Sequence, residues 1–423
     1  MIKKVLIIFL LLYSQLFCTS KDEIKRRIED VLSKLPSSTV SAILLYNPLN
    51  RDTIYSLNPE LSVIPASNTK LFTTSVALSV MGSDYKLSTK IMTDDKNFKD
   101  GVINGNLYIK GFGNSLFTTE DLVEMVRKLK SMHIKRITGN IIGDDSYFDN
   151  LYTRSDWIND EHANLNLPPI SALVIDRNRT VERKRVKIRR KRKSYYRVIS
   201  YAKNISDPPV FAARLLKEKL IENGINVSGS IEKGITPGNA VTLAESFILL
   251  KDLIQTINKR SDNFLAECLF KTIGAVATGN QGNSFYSTQT IIKFLKDNGI
   301  YSEGTSIVDG SGISRFDQVT VSAIVGLLEK IYFDLAHYKD FLNSLSVAGI
   351  DGTLRHRMMG SSAENNFHGK TGTLNGVSSL SGYLSTKNGT ELIISIIFQF
   401  KSGGAAYYRK VENEIVEILS GWQ

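Results

Sequence analysis

A serine placed three residues before a lysine can become a nucleophile, and the chain carries that pair at Ser67-Asn68-Thr69-Lys70. A serine hydroxyl attacks poorly at neutral pH and needs a base held against it. Positions i and i+3 share a helix face, so the Lys70 amine reaches the Ser67 hydroxyl within one turn. Lysine can be that base when burial and nearby positive charge lower its pKa. Alone, the pattern reads as an exposed helical turn, because chance produces it repeatedly in a chain of 423 residues. Two more short patterns stand far downstream. Ser261-Asp262-Asn263, in NKRSDNFLAECLFKTIG, reads in one of two ways. It is either a helix N-cap, or a Ser and an Asn entering a cleft from a loop between helices, Ser261 relaying protons and Asn263 holding a substrate amide. Lys370-Thr371-Gly372-Thr373 lies in HGKTGTLNGVSSLSGYL. On a strand, alternate residues face opposite ways, so Lys370 projects away from Thr371, and Gly372 admits a substrate backbone. A fixed cation there suits a substrate that ends in a carboxylate. By itself this pattern is an ordinary hairpin turn.

The surrounding elements must hold these groups. Pro65, just before the apolar run LFTTSVALSVM, places Ser67 at or near a helix start. Ser246–Ile273, around the second pattern, reads as helical. Ser38–Tyr46 and Thr53–Ser56 read as strands about a turn at Asn47–Asp52. Asn388-Gly389, between LSTK and ELIISIIFQF, predicts a hairpin with positive φ. Apolar residues at helical spacing mark Asp22–Leu35 (Ile24, Ile28, Val31, Leu35) and Ala405–Trp422 (Val411, Ile415, Ile418, Leu419). From about Lys86 to Asp149, short strands alternate with glycine turns. A helix over Thr119–Met132, with an acidic first turn, interrupts them. This region reads as a separate β-rich unit, and helix returns after Pro208-Pro209.

Hydrophobic residues make up 42% and charged residues 22% of the chain, which excludes bulk disorder, collagen and coiled coil. The length suggests roughly three domains at about 150 residues each. A net charge of +11 favours contact with anionic polymers or surfaces. Arg177–Arg197 holds twelve Lys and Arg against one acid, Glu182. It reads as a solvated strand-like face or as a contact for an anionic polymer. Cys18 and Cys268 cannot make a disulfide framework, and Cys268, in an apolar helix, reads as core. His133, His162, His337, His356 and His368 show no zinc spacing, so neither metal nor cofactor is expected. Lys3 and Lys4, the apolar run VLIIFLLLYSQLF and the small residues Cys18-Thr19-Ser20 read as a secretory signal cleaved near Ser20. The run is too short to span a bilayer as a mature helix. Lipidation at Cys18 is the alternative, against which Phe17 stands where a small residue is expected. Export to the periplasm or envelope follows.

Taken in order, the three patterns resemble the signature of penicillin-recognising serine enzymes. The stretch between Lys70 and Ser261 exceeds what a compact β-lactamase needs. It resembles the D-alanyl-D-alanine carboxypeptidase/endopeptidase family of penicillin-binding protein 4 type (peptidase family S13, low-molecular-mass class C). PASNTK, GNLYIKGFGN, ITGNIIGDDSYFD, ISALVIDRN, DGSGISR and VAGIDGTLRHR resemble family segments in family order, from about Asp22 to Trp422. Two departures stand out. The domain that the family commonly inserts after Asp176–Asn178 is replaced by the short basic stretch. Gly113-Asn114-Ser115 replaces the usual Gly-Asp-Pro.

The resemblance implies an α/β fold of serine transpeptidase type, with an antiparallel five-stranded sheet built from the chain's two ends and flanked by helices. The core would be 21–85 and 209–423, and the inserted β-rich domain 86–208. It implies a peptidoglycan DD-peptidase acting through a Ser67 acyl-enzyme, with β-lactams as covalent inhibitors. Lys70 would be the base, kept neutral by burial and by Lys370. The N–H groups of Ser67 and Thr373 would form the oxyanion hole, within a substrate-binding run that includes Thr371 and Gly372. Ser261 and Lys370 would return the proton, with Asn263 beside them. Asp145 would pair with the ammonium of a stem diamino acid and Arg315 with its carboxylate, with Phe148 and Asn375 lining the same pocket. Asp309 and Ser311 would shape a glycine-rich turn. The rivals are a β-lactamase-like hydrolase, for which no water-activating carboxylate is evident, a non-catalytic peptidoglycan-binding envelope protein, and a nucleic-acid binder, which the leader argues against.

Overall fold

The computed structural model describes residues 20–157, 167–190, 193–300 and 303–422. The expected leader, with Cys18, and His162 lie outside the described residues. The chain divides into two compact units. One takes in the described parts of Met1–Ser79, Ile254–Asn263 and Thr288–Gln423, the other Val80–Leu253 and Phe264–Ser287.

The first unit is built on an antiparallel sheet in the order Ser346–Val347, Phe367–Leu374, Val377–Ser385, Glu391–Gln399, Val40–Asn47, Asp52–Leu57. Five long strands are joined by one of two residues at the edge. The two central strands from the C-terminal half are buried along nearly their whole length, as a sheet covered on both faces requires. On one face, Ile24, Ile28 and Val31 of the helix Lys21–Leu32 meet Val411, Ile415 and Leu419 of Ala405–Ser420, packed with Ile43, Leu45, Ile394 and Ile396 of the sheet. The two end helices thus cover one face, as their apolar spacing predicts. On the other, Tyr383 donates to the Leu328 carbonyl of the helix Val321–Tyr332 at 2.8 Å. The Asn388-Gly389 hairpin forms, with the positive φ (+80°) at Gly389.

The second unit centres on a mixed sheet in the order Ile231–Lys233, Ile141–Asp144, Leu107–Phe112, Lys86–Thr93, Val241–Leu249. The helices Thr119–Ser131 and Pro208–Glu222 pack Leu122, Val126, Ala213 and Leu216 into its core. Thr118 and Asp121 close a capping box at the first of these helices, which satisfies two backbone donors, the N–H groups of Asp121 and Thr118. The unit therefore reaches beyond the expected 86–208. Val241–Leu249 pairs antiparallel with Lys86–Thr93 and the 208–222 helix shares the same core, so neither belongs with the first sheet. The helix expected from Ser246 begins at Leu250, because Ser246–Leu249 is committed to that edge pairing. Arg179–Arg190 and Lys193–Asn204 form a two-stranded sheet of their own. Cys268 is fully buried, as expected.

Candidate active site

The site is assembled within the first unit. Residues Ala66–Asn68 form one 3-10 turn, and an α-helix continues from Thr69 to Met81, so Ser67 sits at the helix entrance that Pro65 predicts. This turn is pinned from several sides. Ser379 Oγ donates to the Pro65 carbonyl at 2.8 Å, and Asn68 Nδ2 donates to Ser381 Oγ at 2.9 Å. Ala66 holds φ at +50°, a left-handed conformation that costs a non-glycine residue about 1–3 kcal/mol.

Lys70 is wholly buried on the first turn of the helix. Its ammonium faces three oxygens: Ser67 Oγ at 3.0 Å, Asn263 Oδ1 at 2.7 Å and the Ser311 carbonyl at 2.6 Å. Acceptors of this kind are how a buried amine avoids an uncompensated desolvation cost. Lys370, on the strand Phe367–Leu374, is also wholly buried. Its Nζ lies 2.8 Å from Ser261 Oγ and 2.6 Å from the Thr371 carbonyl. Burial pushes the Lys370 amine well below the usual lysine range, and the positive charge of Lys70 pushes it further in the same direction. Ser67, Ser261 and Asn263 are half-buried while Thr373 is exposed, so the cluster opens to solvent above two buried lysines.

Ser261 is not an N-cap. The helix Leu250–Arg260 ends before it and the next begins at Asn263. Ser261 has φ +52°, and the Asp262 N–H closes back on the Ile257 carbonyl at 3.0 Å. That is a Schellman-type helix end, in which the left-handed position normally belongs to glycine. The serine is held there at a conformational cost. Ser261 and Asp262 lie between the two helices, and Asn263 opens the second of them.

The close approach at Gly372 is to the chain's own atoms. A Cβ there would fall 2.2 Å from Ser379 Oγ and 2.9 Å from the Ser67 amide nitrogen, so the strand runs against the serine turn. Thr371 turns the other way, its Oγ1 donating to Thr353 Oγ1 at 2.9 Å. The Arg315 guanidinium donates to the Asn375 carbonyl at 2.8 Å, which brings these two residues together just beyond the Lys370 strand. In the other unit, Asp145 is nearly buried and already engaged. It pairs with the Lys233 ammonium at 3.2 Å and accepts from Tyr152 at 2.5 Å and Ser171 at 3.1 Å. Phe148 is 1% exposed and packs with its ring tilted against Tyr147, 5.7 Å between centroids, a core position rather than an open lining one.

Sequence reasoning missed the shell that carries Ser311. Asp309 and Asp317 are both fully buried. Asp309 accepts from the N–H groups of Ser311, Gly312 and Ser314 at 3.0, 2.6 and 2.9 Å. Asp317 accepts from Val308 at 2.7 Å and from Thr69 Oγ1 at 3.3 Å. Burial, then the neighbouring Asp309, holds the Asp317 carboxyl well above the usual range. Gly312, at φ +78°, lies where a Cβ would strike the Ala66 carbonyl at 1.9 Å. The turn is structural, as expected, yet its Ser311 carbonyl is a direct partner of Lys70. The signal was DGSG itself: two glycines beside an Asp mark a tight loop, but not what it faces. Among the described residues no group of three or more His, Cys, Asp or Glu could hold a metal ion.

The arrangement can activate a hydroxyl, hold a cation beside it and admit an extended chain along the Lys370 strand. A family model described as "D-Ala-D-Ala carboxypeptidase 3 (S13) family" matches residues 24–194 and 191–421. The D-alanyl-D-alanine carboxypeptidase of Actinomadura sp. (strain R39) is 26% identical to this chain, over 86% of it and 79% of that protein. The crystal structure of penicillin binding protein 4 (dacB) from Haemophilus influenzae superposes with a TM-score of 0.79 at 20% identity, covering 92% of this chain and 99% of that one. The same protein complexed with a novel β-lactam gives 0.76 at 21% identity, covering 92% and 98%.

Proposed function

The chain belongs to the D-Ala-D-Ala carboxypeptidase 3 (S13) family, and from that premise we propose that it is a serine DD-peptidase of the cell envelope. Its substrates are D-alanyl-D-alanine ends or D-alanyl cross-links of peptidoglycan, and β-lactams acylate the same serine. The observation that carries this is the convergence of Lys70 Nζ on Ser67 Oγ at 3.0 Å with Lys370 Nζ on Ser261 Oγ at 2.8 Å.

In the first step Ser67 Oγ attacks the carbonyl carbon of the penultimate D-alanine while its proton passes to the Lys70 amine, which has first handed the proton it holds in the free protein to Lys370. The oxyanion is met by the N–H groups of Ser67 and Thr373, donors of a kind worth about 10²–10³ in rate each. The C–N bond then breaks, and the leaving amine takes a proton through Ser261 and Lys370. Water hydrolyses the acyl-enzyme by the same path in reverse, Lys70 accepting its proton and returning it to Ser67. In a β-lactam the amine stays tethered to the acyl group, so the leaving group cannot depart. Lys370, its pKa depressed in the free protein, holds a proton more readily when a substrate carboxylate arrives beside it, since an opposite charge favours the ionised form.

Asp145 for a stem ammonium and Arg315 for a stem carboxylate are separate assignments, each tested alone. The leader directs export, and among the described residues no helix is long and apolar enough to cross a membrane. The basic segment 177–197 is assigned to an anionic polymer of the envelope on its charge. Labelled penicillin and defined muropeptides, with Ser67→Ala as control, test the whole reading. A stable adduct on Ser67 together with release of D-alanine supports it. Rapid drug turnover points to a β-lactamase, and no reaction to a binding protein.

A further inference from the structure

The strands Arg179–Arg190 and Lys193–Asn204 pair in antiparallel register through Arg183↔Ser200, Arg185↔Val198, Lys187↔Tyr196 and Arg189↔Ser194. Alternation puts these residues on one face. Arg183, Arg185, Lys187 and Arg189 are all exposed there, and none is in an ion pair among the described residues. Strand rise spaces them about 6.6 Å apart in a row of roughly 20 Å. The one acid of the segment lies on the opposite face and is already satisfied. Glu182 accepts from Tyr201 at 2.6 Å and pairs with Lys203 at 2.8 Å. The first face is therefore a row of like charges facing small or uncharged neighbours, with no acid paired to it among the described residues.

Three of the four cations are arginines, whose planar forks match phosphate oxygens two at a time. A repeat of about 6.6 Å fits a linear polymer with one anionic group per short unit. A single-stranded nucleic acid shares the phosphodiester, but it also needs aromatic faces for its bases. The one aromatic side chain in the described row, Tyr196, already has the Arg185 guanidinium over its ring at 4.5 Å. A bilayer needs the apolar side chains gathered on one side. Here the exposed ones are divided, Val181, Tyr196 and Val198 on the charged face and Tyr195, Ile199 and Tyr201 on the other.

We propose that the Arg183–Arg185–Lys187–Arg189 face is a docking track for a linear, base-free phosphodiester polymer of the envelope, such as a poly(polyol phosphate). The choice of polymer rests on the envelope placement given under Proposed function. The track holds the protein on the wall through charges that water would otherwise solvate, at a site that takes no part in the chemistry at Ser67.

The test uses the full mature chain and fluorescent poly(glycerol phosphate), with anisotropy followed across a salt titration. The variant R183Q/R185Q/K187Q/R189Q is expected to bind roughly a hundredfold more weakly and to lose most of its salt dependence. K184Q/R197Q, on the opposite face, is expected to change binding less than about threefold. Equal losses from the two variants overturn the proposal, because the attraction is then diffuse charge. So does single-stranded DNA of matched charge, or a vesicle of anionic lipid, binding as tightly with the same dependence on the row. Penicillin labelling of Ser67 and thermal melting are read in every variant. A variant that still labels and melts like the parent is folded, so its binding loss reports on the track. A parent that binds polymer but does not label counts against the peptidase reading and leaves the track supported.

Discussion

Lysine and arginine gather in two regions of this chain, and the two treat positive charge in opposite ways. Around Ser67, Lys70 and Lys370 are wholly buried, and oxygens within 3.0 Å meet each amine nitrogen. On the 179–204 ribbon, Arg183, Arg185, Lys187 and Arg189 stand in solvent. A cation removed from water must be matched atom by atom, and leaving it unmatched is costly. That same removal makes its proton adjustable, which is what acid–base chemistry requires. A cation left in water keeps its charge, acts over a Debye length and yields to salt. The cleft therefore depends on position and the ribbon on number.

The sharpest way to break this contrast is to remove the nucleophile. Ser67→Ala is expected to abolish acylation, a loss on the order of 10⁶, with melting unchanged, as gel fluorescence with labelled penicillin would show. Next is Lys370→Met, which removes a buried amine of similar length. Acylation is expected to fall by about 10²–10⁴, while the fold gains about 0.5–2 kcal/mol. The sign follows from the depressed pKa of Lys370. Between its folded value and its ordinary value the unfolded chain binds the extra proton, so this group adds stability as pH rises through that window. In the variant, this rise in stability is expected to vanish from urea melts taken as a function of pH.

Smaller effects sharpen the comparison. Ser261→Gly relieves the φ of +52° and is expected to stabilise by about 1 kcal/mol. Acylation is expected to slow by roughly 10², so a variant that is both stabler and as active contradicts the role given to the hydroxyl. Asp317→Asn mimics the protonated acid beside Asp309. Its raised pKa means the native state keeps a proton that the unfolded chain has lost, so this group's contribution falls as pH rises through the window. The variant is expected to lose that dependence and to keep acylation within about threefold. The smallest effect belongs to the ribbon, where R183Q/R185Q/K187Q/R189Q is expected to change stability by less than about 0.5 kcal/mol. A large loss in calorimetry would show that the row is structural and erase the contrast.

Much of the fold was legible before any coordinates. The end helices announce themselves by Ile24, Ile28, Val31 and Val411, Ile415, Leu419, because helical spacing and burial on a sheet are one constraint. Ser67 at a helix start follows from Pro65, and the hairpin at Gly389 from the need for positive φ. The unit boundary was not legible. Whether Val241–Leu249 joins one sheet or the other depends on which edge is free, and no short window contains that edge. Helix and strand at Ser246–Leu249 diverged for the same reason, since tertiary pairing overrides local propensity.

The amino-acid sequence by itself determined which chemistry is possible: a hydroxyl, an amine one helical turn away, a second serine with an amide, and a lysine on a glycine-bearing strand. Those are properties of residue type and short spacing, which survive without a fold. Only the tertiary structure decided which group each lysine faces, that Ser311 gives its carbonyl to Lys70, that Asp309 and Asp317 hold that loop, and that Asp145 already has Lys233. The physical reason is that hydrogen bonds and pKa values are set at distances of a few ångströms and by the exclusion of water. Both arise only when segments distant along the chain close on one another.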